Sequence, residues 1–249
     1  MRLEEFMSLI SGVSVENEAF LELKNGLPLG VDGEGKILLS QRRERTITTR
    51  HTCVVGAGRS EFLQRLLLTL SCLYEKREAS FLILSPYKEY DAFLHLDGMD
   101  ATVPYILNKA HFEEALKALR AAKEMRERGG AGYPHLFVLL DGVEELQGFN
   151  ESGDLEELRA VIELLAHRED VDVLCGVDLV GSIFKGYPGA FVGIGNCLVT
   201  AEKDGKAYVT YVEDDASLSL PITVDYPADT SLTDGIALLN TLPKENGEA

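Results

Sequence analysis

The stretch HTCVVGAGRSEFLQRLLLTL, residues 51–70, decides the fold. Its opening residues include Thr52, Val54 and Val55 and suit a short strand, and two glycines then break the chain. Beyond them Phe62, Leu63, Leu66, Leu67, Leu70 and Leu73 recur at helical spacing and lay a broad apolar stripe along one side. A strand that runs through a glycine turn into a helix is half of a βαβ unit, the building block of a parallel sheet covered by helices.

Working outward, four more short apolar runs follow: SFLIL at 80–84, HLFVLL at 135–140, VDVLCGV at 171–177 and NCLVT at 196–200. Runs apolar on both faces and separated by helices are what a parallel sheet buried on both sides requires. One intervening helix carries Phe112, Leu116, Leu119 and Ala122, ringed by Lys117, Arg120, Lys123, Arg126 and Arg128. Another carries Leu155, Leu158, Val161, Ile162 and Leu165, after a capping-box-like start at Asp154 and Glu157. The expected fold is α/β, a doubly wound, mostly parallel sheet. Residues 1–26 read as a helix and connector, 27–215 as the α/β domain, and 216–249 as a C-terminal extension and tail. Within these, LPLGVDGEGKILLS at 27–40 reads as a hairpin turning at Asp32-Gly33-Glu34-Gly35, KAYVTYVEDD at 206–215 as an edge strand, and LPKENGEA at 242–249 as a frayed end.

Composition narrows the function. The 249 residues are 45% apolar, enough for a real core. With 24 basic against 41 acidic residues the formal charge is −17, so a nucleic acid meets net repulsion and is not expected as a partner. Cys53, Cys72, Cys175 and Cys197 lie far apart, three of them in apolar runs, which implies a reducing compartment, no disulfides and no zinc site. His51, His95, His111, His135 and His167 are scattered without metal-ligand spacing, so no metal is expected from them. No run reaches the roughly 18 apolar residues of a membrane span. The acidic N-terminus is unlike a signal peptide, so this segment is expected to make no membrane contact of its own.

The glycine turn raises the question of chemistry. A phosphate-binding loop, GxxxxGK[ST], converges backbone N–H groups on phosphates, reaches them with a lysine and holds magnesium with a hydroxyl. Here the residues are Gly56, Ala57, Gly58, Arg59 and Ser60. Counted from Gly56 the loop is three residues short; with Gly58-Arg59-Ser60 aligned to GK[ST], Cys53 stands in the first glycine's place. Arg59 keeps the charge but as a planar fork on a longer stem. Ser60 suits magnesium or a helix cap equally, and a plain glycine turn is the alternative to any ligand site. Asp141 ends an apolar strand where such folds place ligands. The next residue, Gly142, lacks the side chain of a base, and Glu144 and Glu145 are displaced beyond it. The basic runs QRRER at 41–45 and KEMRERGG at 123–130 read as solvated edges, and FKGYPGAFVGIGN at 184–196 as a connecting loop.

In order, LPLGVDGEGK, RHTCVVGAGRS, FLILSPYKEYDAF, LKALRAAKEMRERGGAG and PHLFVLLDGVEEL resemble the successive motifs of the FtsK/SpoIIIE branch of P-loop ATPases, over roughly residues 27–200. Within it, the chain is similar to a distal, degenerate ATPase domain of the type VII secretion proteins EssC and EccC. The resemblance implies a P-loop NTPase (RecA-like) sheet with ATP and Mg as cofactors. It assigns nucleotide contacts to Gly56, Ala57, Gly58, Arg59, Ser60 and Asp141, and possible Mg contacts to Ser60 and Asp141. The chain departs from the family's pattern at the loop lysine (Arg59), at the acidic pair (Asp141-Gly142) and at the polar sensor (Val177-Asp178), which implies no catalytic residues and little turnover. The implied partners are other ATPase domains of the same or a tandem chain, and small helical WXG100-type substrates or their C-terminal peptides. The implied location is cytoplasmic, within a membrane-anchored protein. Two alternatives stand beside this reading: an active ATP-driven DNA or protein motor, and a scaffold that takes no nucleotide.

Overall fold

The computed structural model describes residues 2–11, 26–41, 51–74, 78–96, 102–106, 109–129, 132–142, 154–177, 196–203, 206–212, 222–226 and 231–241. In chain order its elements are α1 (Leu3–Ser11), β1 (Gly26–Val31), β2 (Ile37–Gln41), β3 (His51–Gly56), α2 (Arg59–Leu73), β4 (Ala79–Ser85), a 3-10 helix (Lys88–His95), β5 (Thr102–Ile106), α3 (Lys109–Glu127), β6 (His135–Asp141), α4 (Asp154–Ala166), β7 (Val171–Val177), β8 (Asn196–Lys203), β9 (Lys206–Val212), β10 (Ile222–Asp225) and α5 (Leu232–Thr241).

The strands form one ten-stranded sheet in the order β2-β1-β10-β9-β8-β3-β7-β6-β4-β5. From β8 to β5 every pairing is parallel; from β8 to β2 every pairing is antiparallel. The five strands read from sequence are the adjacent set β8-β3-β7-β6-β4. Their apolar residues alternate between two cores. Val54, Phe137, Leu139 and Leu174 face one layer with α1, α2, α5 and the 3-10 helix. Cys53, Val55, Leu136, Val138, Leu140 and Cys175 face the other, with α3 and α4. Each fully buried leucine of α2, such as Leu63, Leu67 and Leu70, contributes about 2 kcal/mol of transfer free energy.

The hairpin over 27–40 forms as expected. Asp32 accepts hydrogen bonds from the backbone N–H groups of Glu34 and Lys36 at 2.9 Å each, and Gly35 takes φ +79° to close the turn. Two expectations need correction. The strand at 206–212 is interior, because β10 pairs with its outer side. Its neighbour β10, and α5 beyond it, are built into the sheet and the α2 core, with Leu232, Ile236 and Leu239 buried beside Leu3. The Glu157 carboxylate pairs with Arg120, tying α4 to α3. Sequence reading also passed over β5. Its Pro104 argues against a central strand but is tolerated at the edge, where β5 pairs with β4 alone among described strands. Residues 42–50, 143–153, 178–195 and 242–249 lie outside the described residues, and with them Arg42, Arg43, Glu44 and Arg45, Glu144 and Glu145, Asp178, nearly all of the glycine-rich loop, and the frayed end.

Candidate functional site

The strand-to-helix turn is very short. β3 ends at Gly56 and α2 begins at Arg59, so only Ala57 and Gly58 lie between. Gly58 sits at the N-cap with φ 75° and ψ 14°, a left-handed conformation that suits glycine, and it makes no side-chain cap. Cys53 lies inside the strand, in register with Cys175 and Cys197, so the residues that would be loop in the full phosphate-binding pattern are ladder here.

Asp141 reaches this turn by strand alternation. It continues the parity of Phe137 and Leu139 along β6 and so faces the α2 side of the sheet. Between β6 and β3 runs β7, and its residue level with Asp141 is Gly176. An added Cβ at Gly176 would lie 2.4 Å from Asp141 Oδ1 and 2.8 Å from Leu63 Cδ1. The missing side chain is therefore the notch through which the carboxylate meets α2.

There Asp141 is fully buried and held from three sides. Tyr90 of the 3-10 helix donates its hydroxyl to Oδ2 at 2.8 Å. Arg59 Nε lies 3.7 Å from Oδ1. The Ser60 hydroxyl stands near enough to favour the charged carboxylate. Ser60 is the second residue of α2, so of its two readings the cap is not the one realised. Burial pushes the Asp141 carboxyl above its ordinary range, against the opposing pull of Ser60, Tyr90 and Arg59. The Tyr90 phenol is pushed well above its own range by burial and by the neighbouring Asp141 charge.

The chain itself crowds the inner side of the turn, while Gly56, Ala57 and Gly58 stay exposed. At Gly56, φ +108°, an added Cβ would stand 2.2 Å from the Thr200 carbonyl oxygen. At Gly142, φ +69°, the ring of Tyr87 approaches within 2.7 Å of the same construction. The Tyr226 hydroxyl lies 3.4 Å from that point on Gly58, and its ring meets Phe62 edge-on at 4.9 Å. The structure thus gathers Gly56, Ala57, Gly58, Arg59, Ser60 and Asp141 at one end of the parallel sheet, and adds Tyr87, Tyr90, Gly176, Thr200 and Tyr226. No local motif announces the last three. Tyr87 and Tyr90 follow the Ser85-Pro86 strand end and were within reach of the family comparison. Val177 ends β7 beside this cluster. Among described residues no group of His, Cys, Asp and Glu suits a metal ion.

Gly176→Ala is expected to cost about 2 kcal/mol by overpacking and to push Asp141 off α2. Urea unfolding reads the first effect. The second appears as a changed pH dependence of stability, the Asp141 titration having moved with its surroundings.

The arrangement is the P-loop ATPase-like fold, with the strand feeding α2 between β8 and β7 and the acidic strand one further on. In three dimensions the chain is similar to the cytoplasmic domain of the type VII secretion ATPase EccC from Thermomonospora curvata, at TM-score 0.57 and 17% identity, over 87% of this chain and 31% of that one. It is similar also to ATPases 2 and 3 of the same organism's EccC in complex with a signal sequence peptide, at TM-score 0.60 and 15% identity, over 83% and 41%. ATPases 2 and 3 of EssC from Geobacillus thermodenitrificans match at TM-score 0.57 and 15% identity, over 87% and 49%. The chain thus spans between about a third and a half of the length of these proteins. No protein-family model matches it, and no curated protein does. Among described residues no helix is long and apolar enough to cross a membrane.

Proposed function

We propose that the chain is a degenerate FtsK/SpoIIIE-like ATPase domain of a type VII (WXG100/ESX) secretion translocase, which binds nucleotide weakly or not at all and serves as a substrate-binding or regulatory module in the cytoplasm. The observation that carries this reading is the Arg59–Asp141 pair. In a working site the loop cation meets phosphate and the strand-end carboxylate supports magnesium; here the two meet each other at 3.7 Å.

The surroundings support it. A two-residue turn lacks the N–H groups that wrap a β-phosphate, the Thr200 carbonyl stands under Gly56, and Tyr87 fills the space a base at position 142 would need. Arg59, Ser60 and Asp141 do not fit a magnesium–triphosphate, and no step of catalysis is assigned to them. The resemblance to EccC ATPase domains seen with a signal sequence peptide supports neighbouring ATPase domains and secretion-signal peptides as the partners.

The test is calorimetric titration of the chain with ATP and magnesium. The expected result is no saturable heat, or a Kd no tighter than about 1 mM, equivalent to roughly 4 kcal/mol of binding. Saturable micromolar binding lost in both Arg59→Ala and Asp141→Ala would overturn the reading in favour of a working nucleotide site.

A further inference from the structure

Three of the four cysteines share one level of the sheet. Cys53 on β3 is the register partner of Cys175 on β7 and of Cys197 on β8. Cys53 and Cys175 belong to the same core on the α3–α4 face, at 5% and 2% exposure. They are far apart in sequence, so only the β7-β3-β8 order brings them together.

Register partners on adjacent strands lie about 4.8 Å apart, within the roughly 4.4–6.8 Å that Cα atoms of a disulfide span. In-register β-carbons on one face of a parallel pair keep about that strand spacing, whereas a disulfide prefers them near 3.8 Å. Closing the bond therefore pinches β3 toward β7, and a strained disulfide is the easily reduced, reversible kind.

We propose that Cys53 and Cys175 form a reversible cross-strand disulfide when the protein meets a peroxide-class oxidant. Cys53, the slightly more exposed thiol, attacks one peroxide oxygen, giving its sulfenic acid and water. The Cys175 sulfur then attacks the sulfenic sulfur and expels the hydroxyl, which leaves as a second water with the Cys175 proton. Two thiols and one hydrogen peroxide give one disulfide and two waters. Burial makes the first step slow, as it does for any desolvated thiol; Cys72, on α2, has its thiol pushed up to about 12 by the same cause. The bond acts beside the site described above, because Cys175 precedes Gly176, the notch that admits Asp141.

The experiment treats the whole native chain with hydrogen peroxide, alkylates remaining thiols and maps peptides by mass spectrometry with and without dithiothreitol. The expected product is one linked peptide joining Cys53 to Cys175, two hydrogens lighter than the reduced pair. It should be fully reversed by dithiothreitol, lost in Cys175→Ala and Cys53→Ala, and retained in Cys72→Ala. Alanine is close in size to a buried thiol, and a thermal unfolding curve for each variant establishes that it is folded. Four alkylatable thiols after treatment, a link through Cys72 or Cys197, or irreversible sulfinic acid at Cys53 would each overturn the proposal.

Discussion

Gly56→Ala is expected to lower the unfolding free energy by about 4 kcal/mol, from backbone strain and overpacking together, and the thermal midpoint by roughly 8–16 °C. Gly56 holds φ +108°, where a side chain is strained whatever its surroundings. Its added Cβ would also meet the Thr200 carbonyl oxygen at 2.2 Å and the carbonyl carbon at 3.2 Å. Relief requires moving backbone, and the backbone on both sides is tied. Thr200 is the register partner of Gly56 across β3 and β8, and its buried hydroxyl donates to the Val55 carbonyl at 3.0 Å. Gly35→Ala is the control, because Gly35 has a positive φ of +79° with nothing within 4 Å of the added carbon. That change carries backbone strain alone, about 1 kcal/mol. Urea unfolding of the two variants separates the terms. Equal losses would mean that β8 yields and that the closed turn is not a rigid part of the fold.

The control works because the two glycines differ in what sequence could say of them. Gly35 sits in a four-residue turn whose Asp and glycines announce it locally, and the hairpin was legible for that reason. Gly56 announces a turn but not its tightness, because the carbonyl that crowds it comes from Thr200, far along the chain. The same division runs through the fold. The strands of the parallel half carry unbroken apolar runs, and α2, α3 and α4 carry stripes at helical spacing, so each was readable on its own. The helix α5 had its signals too: Ser231 and Asp234 hydrogen-bond reciprocally at 2.6 and 3.1 Å, and Leu232, Ile236 and Leu239 share a face. It went unread because a short segment near a polar tail looked like an extension. In the site, Arg59, Ser60 and Asp141 were found through motif order. Gly176 was not, because its importance lies in the absence of a side chain between two strands, and adjacency is a property of topology. Thr200, on β8, and Tyr226, just past the end of β10, likewise come from segments that no local pattern places beside β3.

Arg59→Met is expected to cost about 3 kcal/mol at pH 8, because it leaves the Asp141 carboxylate buried without its counter-charge. The Arg59 side chain is only 18% exposed and the Asp141 side chain is wholly buried, so solvent does little to screen the pair. The cost should shrink on acidification. In the parent chain the Asp141 carboxyl already sits above its ordinary range through burial, and removing Arg59 removes one of the influences that hold it down. A carboxyl whose pKa is higher folded than unfolded binds more protons in the folded state. Its contribution to stability therefore falls as pH rises, through the window between the ordinary carboxylate value of about 3.9 and the raised one. Below that window both states are protonated and the variant's excess cost is gone. Asp141→Asn should be tolerated, since an amide oxygen can still accept the Tyr90 hydroxyl and carries no charge to bury. In the Asp141→Asn background Arg59→Met should then cost less than about 1 kcal/mol, at every pH. The four-protein cycle, with urea unfolding at pH 5 and pH 8, isolates the pair from the packing of each residue. A coupling near zero at pH 8 would mean that Arg59 stands clear of Asp141 in solution, and the cation that the proposed function holds to be engaged by the carboxylate would be available to a phosphate.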